Sequence, residues 1–216
     1  MENQKDLVKS ILLQIAPQLT DAQFNQLLAL IPLYQSWNEK INLISRKDMD
    51  HFVVHHLLHC ISLSKFVHWP AGIKVLDLGT GGGFPAIPLA ICFPQVEFTA
   101  IDGTGKKILV VNDIIKNLNL PNITALHQRA EDHSGSYTFV VSREVASIDK
   151  LISWSRPLIS RTQKSSIPNG LYCYKGGNLH GELQLLQKDS YHELYQLSDI
   201  LPQEYFLDKK IVYVQI

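Results

Sequence analysis

The chain has little of what marks a secreted or metal-stapled protein. Its three cysteines, Cys60, Cys92 and Cys173, are isolated, and no C-x-x-C pair occurs in the 216 residues. This usage argues against a disulfide framework or a cysteine zinc site and fits a reducing compartment. The polar start, Met1 to Asp6, has no signal-peptide apolar region, and no apolar run reaches the roughly 18 residues that span a bilayer. We therefore expect a soluble cytoplasmic protein.

The chain also lacks an excess of charge of either sign. Lys and Arg number 20 against 20 Asp and Glu, which argues against a strongly basic nucleic-acid binder. A local basic stretch nevertheless lies between residues 150 and 181, where no acidic residue occurs. Arg161, Lys164 and Lys175 from this stretch are candidates for contacts with RNA phosphates. A solvated loop explains the same stretch equally well.

Residues 1–70 have helical hydrophobic spacing, whereas residues 71–216 alternate apolar strands with helices of about ten residues. Thr20 and Gln23 form a capping-box pattern at the start of the second helix, and a third helix is predicted over 48–67. The predicted strands are 73–78, 96–101, 123–127, 137–142, 170–175, 191–197 and 211–216, and the later helices are 85–92, 106–118 and 148–159. This alternation predicts an α/β fold built from βαβ units, with a helical cap over 1–70 and a ligand-binding domain over 71–216.

A glycine-rich segment joins the first predicted strand to its helix. It reads Asp77-Leu78-Gly79-Thr80-Gly81-Gly82-Gly83-Phe84. In an open α/β sheet such a turn lies where ligands bind. The dinucleotide pattern needs a third glycine where this chain has Phe84, and Asp77 would repel a pyrophosphate. S-adenosylmethionine, which carries an ammonium and no phosphate, fits better; a dinucleotide and a turn without ligand are the alternatives.

Polar residues follow the next three strands. Asp102, 23 residues after Gly79, can accept both hydroxyls of a ribose. Ala130 and Glu131 can flank an adenine ring, or they form a solvated acidic turn. Arg143 can stack on a base or bind a phosphate, or it pairs with a neighbouring glutamate.

Four histidines lie close together in the third predicted helix. His51, His55 and His59 recur every four residues, and His56 stands beside His55. The zinc motif H-E-x-x-H needs a glutamate at position 56, so we expect no metal. For His51, His55 and His59 we expect a partly exposed helix face.

In these motifs the chain resembles the glucose-inhibited division protein B family, whose members are bacterial guanine-N7 methyltransferases of small-subunit (16S) rRNA. The matching segments, in family order over about residues 30–180, are Trp37 to Ser45, His56 to Cys60, Val75 to Ala90, Asp102 with Gly105-Lys106-Lys107, Arg129-Ala130-Glu131, Val140 to Arg143 and Lys175-Gly176-Gly177. The resemblance implies a Rossmann-like class I methyltransferase sheet of seven mostly parallel strands, with a small N-terminal helical cap. It also implies S-adenosyl-L-methionine as the cofactor and small-subunit rRNA, or the assembling subunit, as the partner.

The residue patterns and the resemblance together predict two sets of site residues. The cofactor candidates are Asp77, Gly79, Gly81, Gly83, Phe84, Asp102, Thr104, Ala130, Glu131 and Arg143, and the substrate candidates are Asn42, His56, Arg129, Arg161, Lys164 and Lys175. Guanine N7 has a free lone pair and no proton, so we expect no catalytic base. Catalysis should instead rest on alignment and electrostatic placement, with Arg143 positioning the guanine. We expect a monomer without membrane or metal partners.

The chain departs from the usual family pattern in several places. His59-Cys60 stands where Asp-Ser is usual, Gly103 replaces a Ser, and Glu144 replaces a small residue. Lys209 or Lys210 stands where the family often has Arg, and a lysine loses the bidentate geometry. A small-molecule methyltransferase and a non-catalytic module that binds a nucleotide or S-adenosylmethionine stay open as alternatives.

Overall fold

A seven-stranded sheet forms the centre of the computed structural model, which describes residues 2–186 and 190–216. The strands are β1 (Lys74–Leu78), β2 (Glu97–Asp102), β3 (Ile123–His127), β4 (Phe139–Arg143), β5 (Gly170–Lys175), β6 (His192–Gln196) and β7 (Lys210–Gln215). All seven predicted strands are confirmed, each boundary within two residues of the prediction. The α/β class is therefore confirmed as well.

The sheet has one point where its strand order reverses. The order is β3-β2-β1-β4-β5-β7-β6, with β1 to β5 parallel and β7 antiparallel to both of its neighbours. Strand β1 pairs with β2 on one side and β4 on the other, and the connections leave it in opposite directions. Such a switch point opens a crevice at the carboxyl ends of the strands.

Eight α-helices surround the sheet in the part of the chain described. They are α1 (Glu2–Ile15), α2 (Asp21–Asn38), α3 (Arg46–Asp50), α4 (His59–Ile61), α5 (Ala86–Cys92), α6 (Gly105–Asn117), α7 (Ile148–Ser155) and α8 (His180–Gln184). The predicted capping box is present: Gln23 N donates to the Thr20 hydroxyl at 3.3 Å, and Thr20 N donates to the Gln23 side chain at 2.9 Å. Helix α8 was not predicted, since its five residues carry too short a pattern.

The prediction of one regular helix over 48–67 was wrong. The segment contains α3, a π-helical turn at Val53–Leu58, α4 and a 3₁₀ turn at Ser62–Lys65. A π-turn adds a residue per turn, so the hydrophobic spacing alone does not distinguish it from an α-helix. Within this turn the His55 carbonyl accepts hydrogen bonds from Arg143 and Tyr205.

The two faces of the sheet carry separate hydrophobic clusters. Helices α1 and α2 contribute Leu12 and Leu27 to the cluster that also contains Val75, whereas Leu76 belongs to the opposite face with Leu151 of α7. The N-terminal helices thus share a core with the sheet, and the domain boundary at residue 70 stays a prediction.

Candidate active site

Two adjoining clefts lie at the carboxyl ends of β1, β2 and β4. The first, of about 440 Å³, is lined by the predicted residues His56, Gly79, Gly81, Phe84, Asp102 and Arg143. The second, of about 320 Å³, is lined by the predicted residues Gly79, Asp102, Thr104, Arg129, Ala130 and Glu131. Because Gly79, Asp102 and Val145 border both clefts, the two form one continuous groove across the switch point.

The glycine loop is shaped by backbone conformations that only glycine adopts readily. Gly79 has φ +75° and Gly81 has φ +57°. A Cβ on Gly79 would lie 2.6 Å from Val145 Cγ2, so the loop after β4 packs directly on this residue. A Cβ on Gly81 would meet no atom within 4 Å, which leaves the backbone of the loop open to a ligand.

Asp102 is held between the two clefts by backbone donors. Its Oδ2 accepts from Gly81 N at 2.9 Å, and its Oδ1 accepts from Thr104 N at 2.8 Å. Each carboxylate oxygen has a second lone pair for another donor. The half-buried side chain is therefore fixed in place and still able to accept two hydroxyl groups.

Asp77 lies beneath the glycine loop and does not line either cleft. Its side chain is fully buried, and Oδ2 accepts from the Thr80 hydroxyl at 2.6 Å and from Ala86 N at 3.0 Å. Burial raises the pKa of Asp77 to about 7, and the bond from Thr80 opposes the shift. Oδ1 has no hydrogen-bond partner. Asp77 therefore shapes the loop from below, and its predicted contact with an ammonium stays a prediction.

Arg143, at the end of β4, is tied to the π-helical turn rather than to a glutamate. Its Nη1 donates to the His55 carbonyl at 3.1 Å, and its Nη2 donates to His56 Nδ1 at 3.2 Å. The guanidinium also lies 5.2 Å from the centre of the Phe84 ring. The structure thus brings together three predicted residues from three segments of the chain.

His56 is neutral and accepts a hydrogen bond in this arrangement. A guanidinium only donates, so Nδ1 of His56 accepts and its proton must sit on Nε2. Burial, and then the charge of Arg143, lowers the pKa of His56 to about 3. Nε2 is buried without a partner.

The neighbouring histidines have different environments. His59 is fully buried, so the expectation of an exposed position was wrong for this residue; burial lowers its pKa well below the usual value. His55 stacks on Tyr205 with ring centres 3.9 Å apart, and His51 is exposed. No group of three or more potential metal ligands occurs among the residues that the structure describes.

Several lining residues were not predicted. Val145, Glu144 and Lys107 border the first cleft, and Trp154 of α7 borders the second. Glu144 and Val145 directly follow Arg143, so their position after a parallel strand could have indicated them. Trp154 is brought in only by the packing of α7, which no local pattern reveals.

Lys175 is the clearest correction among the predicted residues that border neither cleft, which are six: Asp77, Gly83, Asn42, Arg161, Lys164 and Lys175. Its side chain is buried, because Nζ donates to the Ala146 carbonyl at 2.6 Å and pairs with Glu182 at 2.8 Å. It therefore does not belong to an exposed basic surface. Gly83 also borders neither cleft, and a Cβ on it would meet Ile87 at 2.5 Å.

Arg161 and Lys164 lie at the amino ends of the strands, on the side of the sheet away from the clefts. Their loop precedes β5, and Lys164 Nζ reaches the carbonyl of Gly72, just before β1, at 3.4 Å. The basic stretch is thus divided between the amino and carboxyl ends of the strands and does not form one surface beside the clefts. Asn42 is exposed next to Leu43, which lines the first cleft.

The chain is similar to known proteins of one family. The family model described as rRNA small subunit methyltransferase G (GidB) matches residues 23–201. A Bacteroides fragilis protein named ribosomal RNA small subunit methyltransferase G is 44% identical over 207 residues, which cover 95% of this chain and 99% of that protein. The protein of the same name from Flavobacterium johnsoniae is 42% identical over 95% of this chain and 97% of that one.

Solved structures share the fold. A SAM dependent methyltransferase from Aquifex aeolicus has a TM-score of 0.56 at 14% identity, over 80% of this chain and 100% of that one. The fibrillarin/Nop5p complex gives a TM-score of 0.55 at 12% identity, over 74% of this chain and 79% of that one. The predicted methyltransferase sheet is thereby confirmed as the architecture.

Proposed function

Because this chain belongs to the rRNA small subunit methyltransferase G family, we propose that it methylates N7 of a guanine in small-subunit rRNA. The methyl donor is S-adenosyl-L-methionine. One observation carries the proposal: the groove across the switch point joins Asp102 to Arg143 and His56 in a chain of this family. The small subunit of the ribosome is the partner that the relatives' name gives.

The residues present fit such a cofactor. Gly81 leaves open space where a side chain would stand, and Asp102 keeps free lone pairs suited to the two ribose hydroxyls. Thr104, Ala130 and Glu131 border the second cleft and would hold the adenine end. When bound, the cofactor supplies a methyl group on a positively charged sulfur.

The chain's own residues would orient the base. Arg143 is fixed by two donated hydrogen bonds to the π-helical turn and rests on Phe84. Guanine N7 carries a lone pair and no proton, so the site needs no residue to remove one. Placement of the acceptor therefore supplies the catalysis, which is the effect that fixed and preorganised side chains provide. Arg129, exposed at the mouth of the second cleft, would contact the RNA.

We further propose a monomer that works in the cytoplasm. All three cysteines are free thiols, as a reducing compartment allows. Among the described residues, no helix is both long and apolar enough to span a bilayer. Size-exclusion chromatography with light scattering tests the monomer, for which a mass near 24.4 kDa is expected.

Methyl-labelled S-adenosylmethionine tests the proposed function. The protein is incubated with undermethylated small subunits, with naked small-subunit rRNA, and with a small-molecule extract. The proposal predicts label in the RNA of the first or second sample. Label confined to small molecules would indicate a small-molecule methyltransferase, and binding without transfer would indicate a regulatory module.

A further inference from the structure

The loop after β4, residues 144–147, carries the side chain that divides the groove. Val145 packs on Gly79 and borders both clefts. The loop also fixes the direction in which the chain leaves Arg143, and Glu144 adopts a positive φ of 55°. Positive φ is uncommon for a residue other than glycine, so contacts from elsewhere must hold this conformation.

Glu144 itself is held by its N–H, which donates to the Tyr174 carbonyl at 3.3 Å, and by Lys209, whose Nζ lies 3.8 Å from its Oε1. A lysine and a glutamate on two other elements hold the far end of the loop. Lys175 ends β5, the strand beside β4, and its Nζ donates to the Ala146 carbonyl at 2.6 Å. Glu182 of α8 accepts from Ile148 N through Oε2 at 2.8 Å, and the same oxygen pairs with Lys175 Nζ at 2.8 Å. One ion pair therefore holds both ends of the segment from Ala146 to Ile148.

Burial makes this pair suited to positioning. The Lys175 side chain is 10% exposed and that of Glu182 is 30% exposed. A buried ion pair adds little net stability compared with apolar side chains of similar size, but it fixes the groups that hydrogen-bond to it. The main effect of this pair is therefore to orient the backbone groups of Ala146 and Ile148.

We propose that Lys175 and Glu182 are positioning residues that set the loop of Val145 over the groove, and so set cofactor affinity and turnover. This inference rests on the proposed function for its effect on turnover. Its effect on the loop and on cofactor binding can be measured without RNA. Neither residue borders a cleft, so both act through the backbone between Ala146 and Ile148.

Three variants separate positioning from stability. Lys175→Met removes the donor to Ala146 and leaves Glu182 without its cation. The double change Lys175→Met with Glu182→Met removes the unpaired charge as well, which should restore thermal stability. Lys74→Met is the control, because Lys74 also forms an ion pair from a strand, an exposed one with Glu97, at the amino end of β1 and away from both clefts.

The measurements are melting temperature, affinity for S-adenosylhomocysteine by calorimetry, and hydrogen exchange of amides 145–148. We expect the double variant to recover the melting temperature but to bind about tenfold more weakly, because the backbone from Ala146 to Ile148 loses both hydrogen bonds that fix it. Its loop amides should exchange faster, and turnover should fall with an unchanged KM for RNA. The control should match the wild type in affinity and exchange.

If the double variant instead binds and exchanges like the wild type, the pair does not position the loop and the proposal is wrong. Failure of the wild type to methylate RNA would overturn the proposed function. It would leave the binding and exchange results to decide the role of Lys175 and Glu182.

Discussion

Arg143 donates a hydrogen bond to Nδ1 of His56 over 3.2 Å, and this contact joins β4 to the π-helical turn. The two residues are 87 positions apart in the chain. The bond fixes the tautomer of His56 and holds the guanidinium against Phe84. It thereby connects the end of a central strand to the N-terminal helices, at the mouth of the first cleft.

Arg143→Lys should lower turnover more than it weakens cofactor binding. Lysine keeps the charge but lacks the planar guanidinium group, so it cannot donate to the His55 carbonyl and to His56 Nδ1 with the same geometry. We expect kcat to fall roughly tenfold or more, because misplacement of an acceptor is costly in rate. Single-turnover kinetics and calorimetry with S-adenosylhomocysteine measure the two effects. Equal losses in both would place Arg143 on the cofactor instead.

Asp102→Ala should weaken cofactor affinity at least tenfold. The change removes the acceptor for the ribose and also releases Gly81 N and Thr104 N, and a charged hydrogen bond contributes about 1.5–3 kcal/mol. Calorimetric titration measures it. Asp199→Ala, an exposed acid on the turn Leu197–Asp199, is the control and should leave affinity unchanged. Wild-type affinity in Asp102→Ala would contradict the assignment.

Gly79→Ala should destabilise the protein and impair cofactor binding together. The alanine would have to adopt the positive φ of Gly79, and its Cβ would lie 2.6 Å from Val145. Gly72→Ala is a matched control, since Gly72 has φ +83° with nothing within 4 Å of an added Cβ. Both variants carry the backbone cost of about 1–2 kcal/mol, and only Gly79→Ala adds the clash. Thermal denaturation with and without S-adenosylhomocysteine compares them; equal behaviour would argue against close packing of Val145.

Stability should fall in acid partly because of two buried histidines. The pKa of His56 is about 3 and that of His59 is well below its usual value, so the unfolded chain binds protons below about pH 6.5 that the folded protein does not. The free energy of unfolding therefore decreases as pH falls from 6.5. The raised pKa of Asp77, about 7, acts in the opposite direction, because its contribution is lost as pH rises from about 4 to 7.

His59→Asn should reduce this acid sensitivity. Asparagine keeps a polar atom near Tyr205 and does not titrate. We expect the slope of unfolding free energy between pH 4 and 6 to drop by up to about 1.4 kcal/mol per pH unit, the value for one proton. Urea denaturation at several pH values measures it, with His180→Asn on the exposed start of α8 as the control. An unchanged slope would mean that His59 is already protonated in the folded protein.

Local patterns were sufficient to predict the strands and much of the groove. Strand β1 and its glycine loop lie together in the chain, and the carboxyl ends of β2 and β4 follow from the parallel sheet, so Asp102 and Arg143 were predictable. Lys175 was misplaced because a charge in sequence carries no information on burial. Only the packing of α8 against the loop after β4 brings Glu182 to it.

The π-helical turn is the other feature that the sequence did not predict. Its residues have ordinary helical spacing, and the extra residue arises where His55 and His56 meet Arg143. His59 shows the same effect, because its spacing from His51 and His55 predicted a shared exposed face, whereas Tyr205 and Phe206 pack against it. Contacts across long separations in the chain therefore account for most of what the sequence did not predict.

The central claim is that this groove directs a methyl group to N7 of guanine in small-subunit rRNA. Mass spectrometry of nucleosides from undermethylated small subunits, after incubation with the protein and labelled S-adenosylmethionine, tests it most directly. We predict that 7-methylguanosine carries the label and that Arg143→Lys reduces it. Label in a different nucleoside, or none in RNA while the cofactor binds, would contradict the account.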